Sequence, residues 1–366
     1  MFIIGLMSGT SLDGVDLAYC EFHDTGHYTL LAAETVPYPP LWRNRLATLH
    51  RASAVEYALA DSELGHYLGT LVVDFRRRHP GPVDCIASHG HTVFHQPQRH
   101  MTAQIGDGNA IHAVTGLPVV YDFRRLDVAL GGQGAPLVPI GDRLLFADYS
   151  ACLNLGGFAN ISYQSGDRRL AFDISPCNMA LNVLAGEAGM AYDADGALAR
   201  QGVLIGPLYD ELESLPYYRK QPPKSLGKEW YESEFQPLMQ RYAQRPLEDR
   251  IHTVALHIAS RIGAVLRDVP PSEASPRVLV TGGGAHNSHL IQCVQKQTPG
   301  MEIVVPDPQV VDYKEAIIFA LLGYLRITGQ DNTLASVTDA RRDSCGGVLV
   351  GRLRVGKECG SDAVGL

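Results

Sequence analysis

The sequence lacks several things, and each lack excludes a class of protein. No apolar run in the 366 residues approaches the length that spans a bilayer, and the opening run Phe2-Ile3-Ile4-Gly5-Leu6 reads as a buried strand. No basic block is present: the net charge is −8, and Arg76 to Arg78 and Arg124–Arg125 are short clusters without interleaved aromatics, so nucleic acid is not expected as a partner. The seven cysteines are scattered, odd in number and never spaced as C-x-x-C, which argues against a disulfide framework or structural zinc and suits a reducing cytoplasm. Charged residues are few at 19% against 45% hydrophobic, so disorder is not expected and two domains can each bury a core.

What is present is a pattern stated twice. An apolar strand, Phe2 to Met7, runs into Ser8-Gly9-Thr10-Ser11-Leu12-Asp13-Gly14, followed by strand-like runs Val15 to Phe22 and Tyr28 to Val36. The second half echoes it. Cys152 to Leu155 is followed by Gly156–Gly157, then Ala159 to Tyr163 and Leu170 to Ile174. Val278 to Val280 leads into Gly282-Gly283-Gly284, and apolar spacing predicts helices around Val254 to Leu266 and Ala316 to Leu325. The echo is expected to fold as two similar α/β domains facing a cleft, with two unrelated α/β lobes as the alternative.

A glycine-rich turn after a strand presents backbone N–H groups to an anion, and it also makes an ordinary tight hairpin. The first turn is not a Walker A loop, because no Gly-Lys-Ser/Thr follows, nor a dinucleotide fingerprint, because a strand follows it. Three such turns at strand ends favour phosphate clasps and close approach of a nucleotide. His89, His91 and His95 offer a rival metal-hydrolase reading, and Asp193-Ala194-Asp195-Gly196 hints at a calcium loop without its later ligands. Asp173 can cap a helix from Asn178 to Met190, Glu315 can favour a helix dipole, and Arg124 with Asp127 can form a plain ion pair. An exposed lysine is the ordinary account of Lys224.

Longer motifs then accumulate: Met7 to Asp16, His89-Gly90 with Thr92-Val93 and His95, Gln104-Ile105-Gly106-Asp107, and Asp122-Phe123-Arg124 on through Asp127 to Pro139. Asn154 to Asn160, Pro223-Lys224-Ser225 with Gly227, Gly282 to Gly284, and Glu315-Ala316 complete the set. In these runs, spread over most of its length, the chain resembles the anhydro-N-acetylmuramic acid kinases. The resemblance implies two ribonuclease-H-like (actin-like ATPase) domains flanking a nucleotide/sugar cleft, here 1–125 with about 336–366, and 126–335. It implies that ATP and water open 1,6-anhydro-N-acetylmuramic acid and phosphorylate O6, giving N-acetylmuramic acid 6-phosphate in cell-wall recycling.

Carried over residue by residue, the resemblance makes Asp173 the catalytic base. It gives ATP to Gly9, Thr10, Ser11, Leu12, Asp13, Gly14, Val15, Asp16, Gly156, Gly157, Asn160, Gly283 and Gly284. It gives Mg²⁺, through water, to Asp13, and the sugar to His89, Arg124, Asp127, Asn178 and Glu315. A homodimer is expected on the same ground. The chain departs from the family where Asp-Thr-Gly-Pro-Gly/Ala-Asn is usual: it has Asp173-Ile174-Ser175-Pro176-Cys177-Asn178, with Ile174 expected beside the reacting centre. His91 stands for a usual Gln, and Asp339 for a usual Gly. A kinase for a related sugar, or an ATP-binding module without turnover, are the other readings.

Overall fold

The computed structural model describes residues 1–9, 12–270 and 276–353. The strands in chain order are β1 (Phe2–Met7), β2 (Gly14–Phe22), β3 (Tyr28–Pro37), β4 (Cys85–Ser88), β5 (His91–Gln96), β6 (Met101–Ile105) and β7 (Val119–Tyr121). They continue as β8 (Ala151–Leu155), β9 (Phe158–Ser165), β10 (Arg168–Pro176), β11 (Arg277–Thr281), β12 (Glu302–Val304) and β13 (Val348–Val350). The helices that matter below are α1 (Ala54–Arg78), α2 (Gly108–Thr115), α3 (Val138–Leu145), α4 (Asn178–Glu187), α5 (Leu247–Leu266), α6 (Ser288–Gln297) and α7 (Pro308–Ile327).

Two compact units result. The first holds Met1–Ala129, Ala316–Asp331 and the segment from Cys345, and the second holds Leu130–Glu315 and Asn332–Ser344. The first sheet runs β13-β7-β4-β1-β2-β3 and the second β10-β9-β8-β11-β12. In each, the first three strands form an antiparallel meander, and the next two add in parallel on the other side of the first strand. The shared 3-2-1-4-5 order is the ribonuclease-H-like arrangement, used twice. Strand β13 extends the first sheet, and the β5–β6 hairpin stands outside it.

Sequence explains the placement of the central strands. Ile3, Ile4, Gly5 and Leu6 are all buried, as a strand covered on both faces requires. On one face Ile4 and Leu6 join the core under α1, whose first turn is closed by a Ser53–Glu56 capping box. On the other face Gly5 lets α7 come close: a Cβ there would lie 2.0 Å from the Ala316 carbonyl oxygen. That approach keeps Ala316–Asp331 with the first unit, against the expected 126–335 lobe, and Asn332–Ser344 lies with the second unit, against the expected start of the returning segment near 336. In the second unit α5 buries Ile251, Val254, Ile258, Ile262 and Leu266 in one stripe, each contributing about 1.5–3 kcal/mol.

Candidate active site

The register of the second sheet lines up a polar row. Thr281 pairs with Asn154, Asn154 with Asn160, and Asn160 with Asp173, across β11, β8, β9 and β10. Directly paired residues share a face, so these four side chains project to one side while Phe172, Ile161 and Leu153 enter the α5 core on the other. Asp173 is half-buried. Its Oδ2 accepts a 2.8 Å bond from the Leu226 N–H, and its backbone is held by Lys224 and by the Tyr217 hydroxyl, which donates to its carbonyl at 2.6 Å. Among the described residues Oδ1 takes no hydrogen bond. Burial raises the carboxyl above its ordinary range, and the Leu226 bond opposes this only in part.

Asp173 is not a helix cap. The α4 N-terminus begins at Cys177 without a side-chain cap, and its first N–H groups donate to the carbonyls of Gly156 and Gly157. The β8–β9 turn therefore spends its carbonyls inward. Asn178 ties this turn to the next one: its Nδ2 donates to the Leu155 carbonyl, and its Oδ1 would be 3.1 Å from a Cβ at Gly284. Gly282 has φ +82° and ψ 165°, and a Cβ there would meet Asn154 Oδ1 at 2.5 Å, so only glycine fits. Gly157 and Gly283 are open by contrast: their added Cβ atoms would meet nothing closer than 3.8 Å and 3.7 Å.

In the first unit the β1–β2 turn carries the other glycines. Thr10 and Ser11 lie outside the described residues. Leu12 takes a left-handed φ of 62° and its N–H reaches the Gly9 carbonyl. Asp13 is exposed at the turn, while Val15 enters the core. Gly14 has a packing reason of its own, since a Cβ would lie 2.5 Å from the Val36 carbonyl. Asp16 accepts from Thr35 Oγ1 at 2.6 Å. Ser8 is buried at the turn's start, 2.8 Å from the Tyr38 hydroxyl and 3.3 Å from His91 Nδ1.

His89 is buried beside this turn, its N–H bonded to Leu6. The Arg124 Nε–H donates to His89 Nε2 at 3.0 Å, which puts the ring proton on Nδ1, and Nδ1 makes no well-formed hydrogen bond among the described residues. Burial, then the Arg124 charge, hold His89 well below the ordinary imidazole range, and burial holds His91 down to about 4. Both rings are neutral at pH 7. The three histidines engage three different partners, His95 meeting Thr102, and no metal-holding group of three is found among the described residues. Asp127 is buried on the short helix Arg125–Ala129, and Glu315 is exposed on α7.

Several expectations need correction. Ile174 does not share the face of the Asp173 carboxyl: it is buried in the α5 core, as is Cys177, while the Ser175 hydroxyl turns to the Pro176 carbonyl. These departures from the family pattern are packing changes. Asp339 sits at φ +60°, which explains why glycine is usual there and why a short polar residue can replace it. Asp193 and Asp195 anchor backbone N–H groups of Leu198, Ala199 and Ser288, so their segment is a tied turn. Sequence reasoning missed Tyr217 and Leu226, distant in the chain from Asp173. It also missed a buried chain in which Arg169 donates to Ser162, Ser162 to Asp142, and Lys314 pairs with Asp142 at 2.8 Å. No local spacing marks either set.

Two ribonuclease-H-like units, each with a glycine turn after its first strand, give the chain the architecture of the actin-like ATPase and sugar-kinase class. The comparisons narrow this. Residues 1–351 match the family model described as anhydro-N-acetylmuramic acid kinase. A Gloeobacter violaceus protein of that name is 36% identical over 371 residues, covering 93% of this chain and 96% of the relative. One from Vibrio vulnificus is 36% identical over 361 residues, covering 94% and 97%. Among solved structures, the Acidaminococcus fermentans (R)-2-hydroxyglutaryl-CoA dehydratase component A is 13% identical with a TM-score of 0.47, covering 88% of this chain and 96% of its own. The chain belongs to the anhydro-N-acetylmuramic acid kinase family.

Proposed function

We propose that this chain hydrolytically opens 1,6-anhydro-N-acetylmuramic acid and phosphorylates O6 with ATP, yielding N-acetylmuramic acid 6-phosphate and ADP. The carrying observation is Asp173, a carboxylate of raised basicity, fixed through one oxygen and by two backbone bonds, with the other oxygen unengaged. A water on Oδ1 would attack C1 and give its proton to Asp173. The C1–O6 bond breaks, and O6 takes the γ-phosphoryl group as ADP leaves.

In the second unit the open glycines Gly157 and Gly283 suit close approach of phosphates and nucleotide. In the first unit Gly9 and the turn to Asp16 would serve ATP in the same way. Gly14, Gly156 and Gly284 would serve by shaping those turns, Val15 by anchoring its own, and Asn160 by flanking Asp173. The exposed Asp13 fits a Mg²⁺ held mainly by nucleotide phosphates, which supplies charge neutralisation. The buried, unsatisfied Nδ1–H of His89, oriented by Arg124, would donate to the sugar. Asp127, Glu315 and Asn178 would complete recognition, Asn178 by holding the turns.

A cytoplasmic setting is supported by the six described cysteines, all unbridged. No described helix is long and apolar enough to cross a membrane. A homodimer completes the proposal. ADP release from Mg-ATP with the anhydro sugar as acceptor tests the reaction. Sugar-dependent turnover that vanishes in Asp173→Asn supports it, and sugar-independent ADP release would overturn it.

A further inference from the structure

A cavity of about 510 Å³ lies within the second unit, on the face of β10 away from Asp173. It is lined by Phe172 of the strand, Arg261 and Asp268 of the α5 region, and Tyr218, Lys220 and Lys224 of the connecting segment. That volume is ordinary for a small-molecule site. Its polar content is lopsided, with three cations and one carboxylate, in a protein whose net charge is negative.

The two lysines are held without being neutralised. Lys224 Nζ stands 4.9 Å from the Tyr217 ring centroid and 5.7 Å from that of Phe172, and Lys220 Nζ stands 5.9 Å from Tyr217. Among the described residues neither ammonium is paired with a carboxylate. Arg261 is stacked on Tyr218 and paired with Glu213, but Glu213 is shared with His257, and the buried Arg261 Nε–H has no partner. Burial, then Arg261 and Lys220, lower the Lys224 pKa, so the cluster repels itself. An anion would relieve that repulsion and satisfy the guanidinium. Asp268 lines the same cavity just past the end of α5, where its carboxylate can accept hydroxyl hydrogens.

We infer that this cavity is a second ligand site, for a small polyhydroxylated anion such as a sugar phosphate or sugar acid. The anion meets Lys220, Lys224 and Arg261, aromatic faces cover the ring, and Asp268 takes hydroxyls. The site lies on the segment that steadies Asp173. The same stretch supplies the Lys224 carbonyl, the Leu226 N–H and the Tyr217 hydroxyl to Asp173, so an occupant ties down that support from behind.

The test is calorimetric titration of the full chain, without nucleotide, with glucose 6-phosphate, glucuronate and glucose at constant ionic strength. Fluorescence of Trp230, whose ring lies 5.4 Å from Tyr217, provides a second readout. One-to-one binding of an anionic sugar, with neutral glucose silent, is expected, and the tighter of the two anions tells phosphate from carboxylate. Lys220→Glu, at an exposed position, and Lys224→Gln should each weaken binding at least about tenfold. Mg-ATP should not displace the anion. Failure of both anions to bind at millimolar concentration, binding indifferent to Lys220→Glu, or full displacement by Mg-ATP would each overturn the inference.

Discussion

Replacing Asp173 by Asn separates what this carboxylate does for the reaction from what it does to the fold. Asn keeps the shape and an oxygen to accept the Leu226 N–H, and the backbone bonds to Lys224 and Tyr217 are untouched. Exchanging a charged acceptor for a neutral one weakens that bond by about 1 kcal/mol. Burial nevertheless outweighs the bond, since the folded carboxyl is held above its ordinary range. Its contribution to stability is therefore present below the ordinary carboxylate pKa and lost as pH rises through the raised folded value. At pH 7 Asn should match or stabilise the fold. The proposed general-base contribution of about 10²–10⁴ in rate, about 3–5 kcal/mol, should disappear, and with it the acid limb of the kcat/KM profile. Thermal unfolding at pH 7 and ADP release across pH measure both. A clear drop in Tm, or retention of more than about a tenth of the turnover, would refute the reasoning.

Three further outcomes follow from the same geometry. Lys314→Met leaves the buried Asp142 carboxylate unpaired and should cost about 3–5 kcal/mol in urea unfolding, most of it recovered in the double variant with Asp142→Leu. Gly282→Ala forces a Cβ into Asn154 at a backbone angle reserved for glycine; a loss of about 2 kcal/mol or more and a raised KM for ATP are expected, and an unchanged Tm would contradict the packing. Tyr217→Phe removes the hydroxyl bond to the Asp173 carbonyl; stability should fall by about 1 kcal/mol and kcat more than KM, whereas a change in KM alone would show that Tyr217 does not position the base.

The sequence by itself determined the elements and the family. Apolar runs bounded by glycine turns placed β1 and β8 nearly to the residue, because burial on both faces demands continuous hydrophobicity and the turns demand glycine. Spacing located α5 and α7, short of their true starts at Leu247 and Pro308, because polar residues such as Glu248–Arg250 and Asp312–Glu315 interrupt the apolar period near those starts. Motif order singled out Asp173, which by residue type alone could also cap a helix. Only the tertiary structure removed the cap reading. Strand register put Asp173 in a row with Asn160 and Asn154, while the Gly156–Gly157 carbonyls took the cap position. The same register sent Ile174 into the core, and only packing between distant segments brought Tyr217 and Leu226 to Asp173 and Lys314 to Asp142. Local patterns encode period and turn chemistry, which a short window contains. Partners tens to hundreds of residues apart are set by how sheets and helices close on one another, and no local window holds that information.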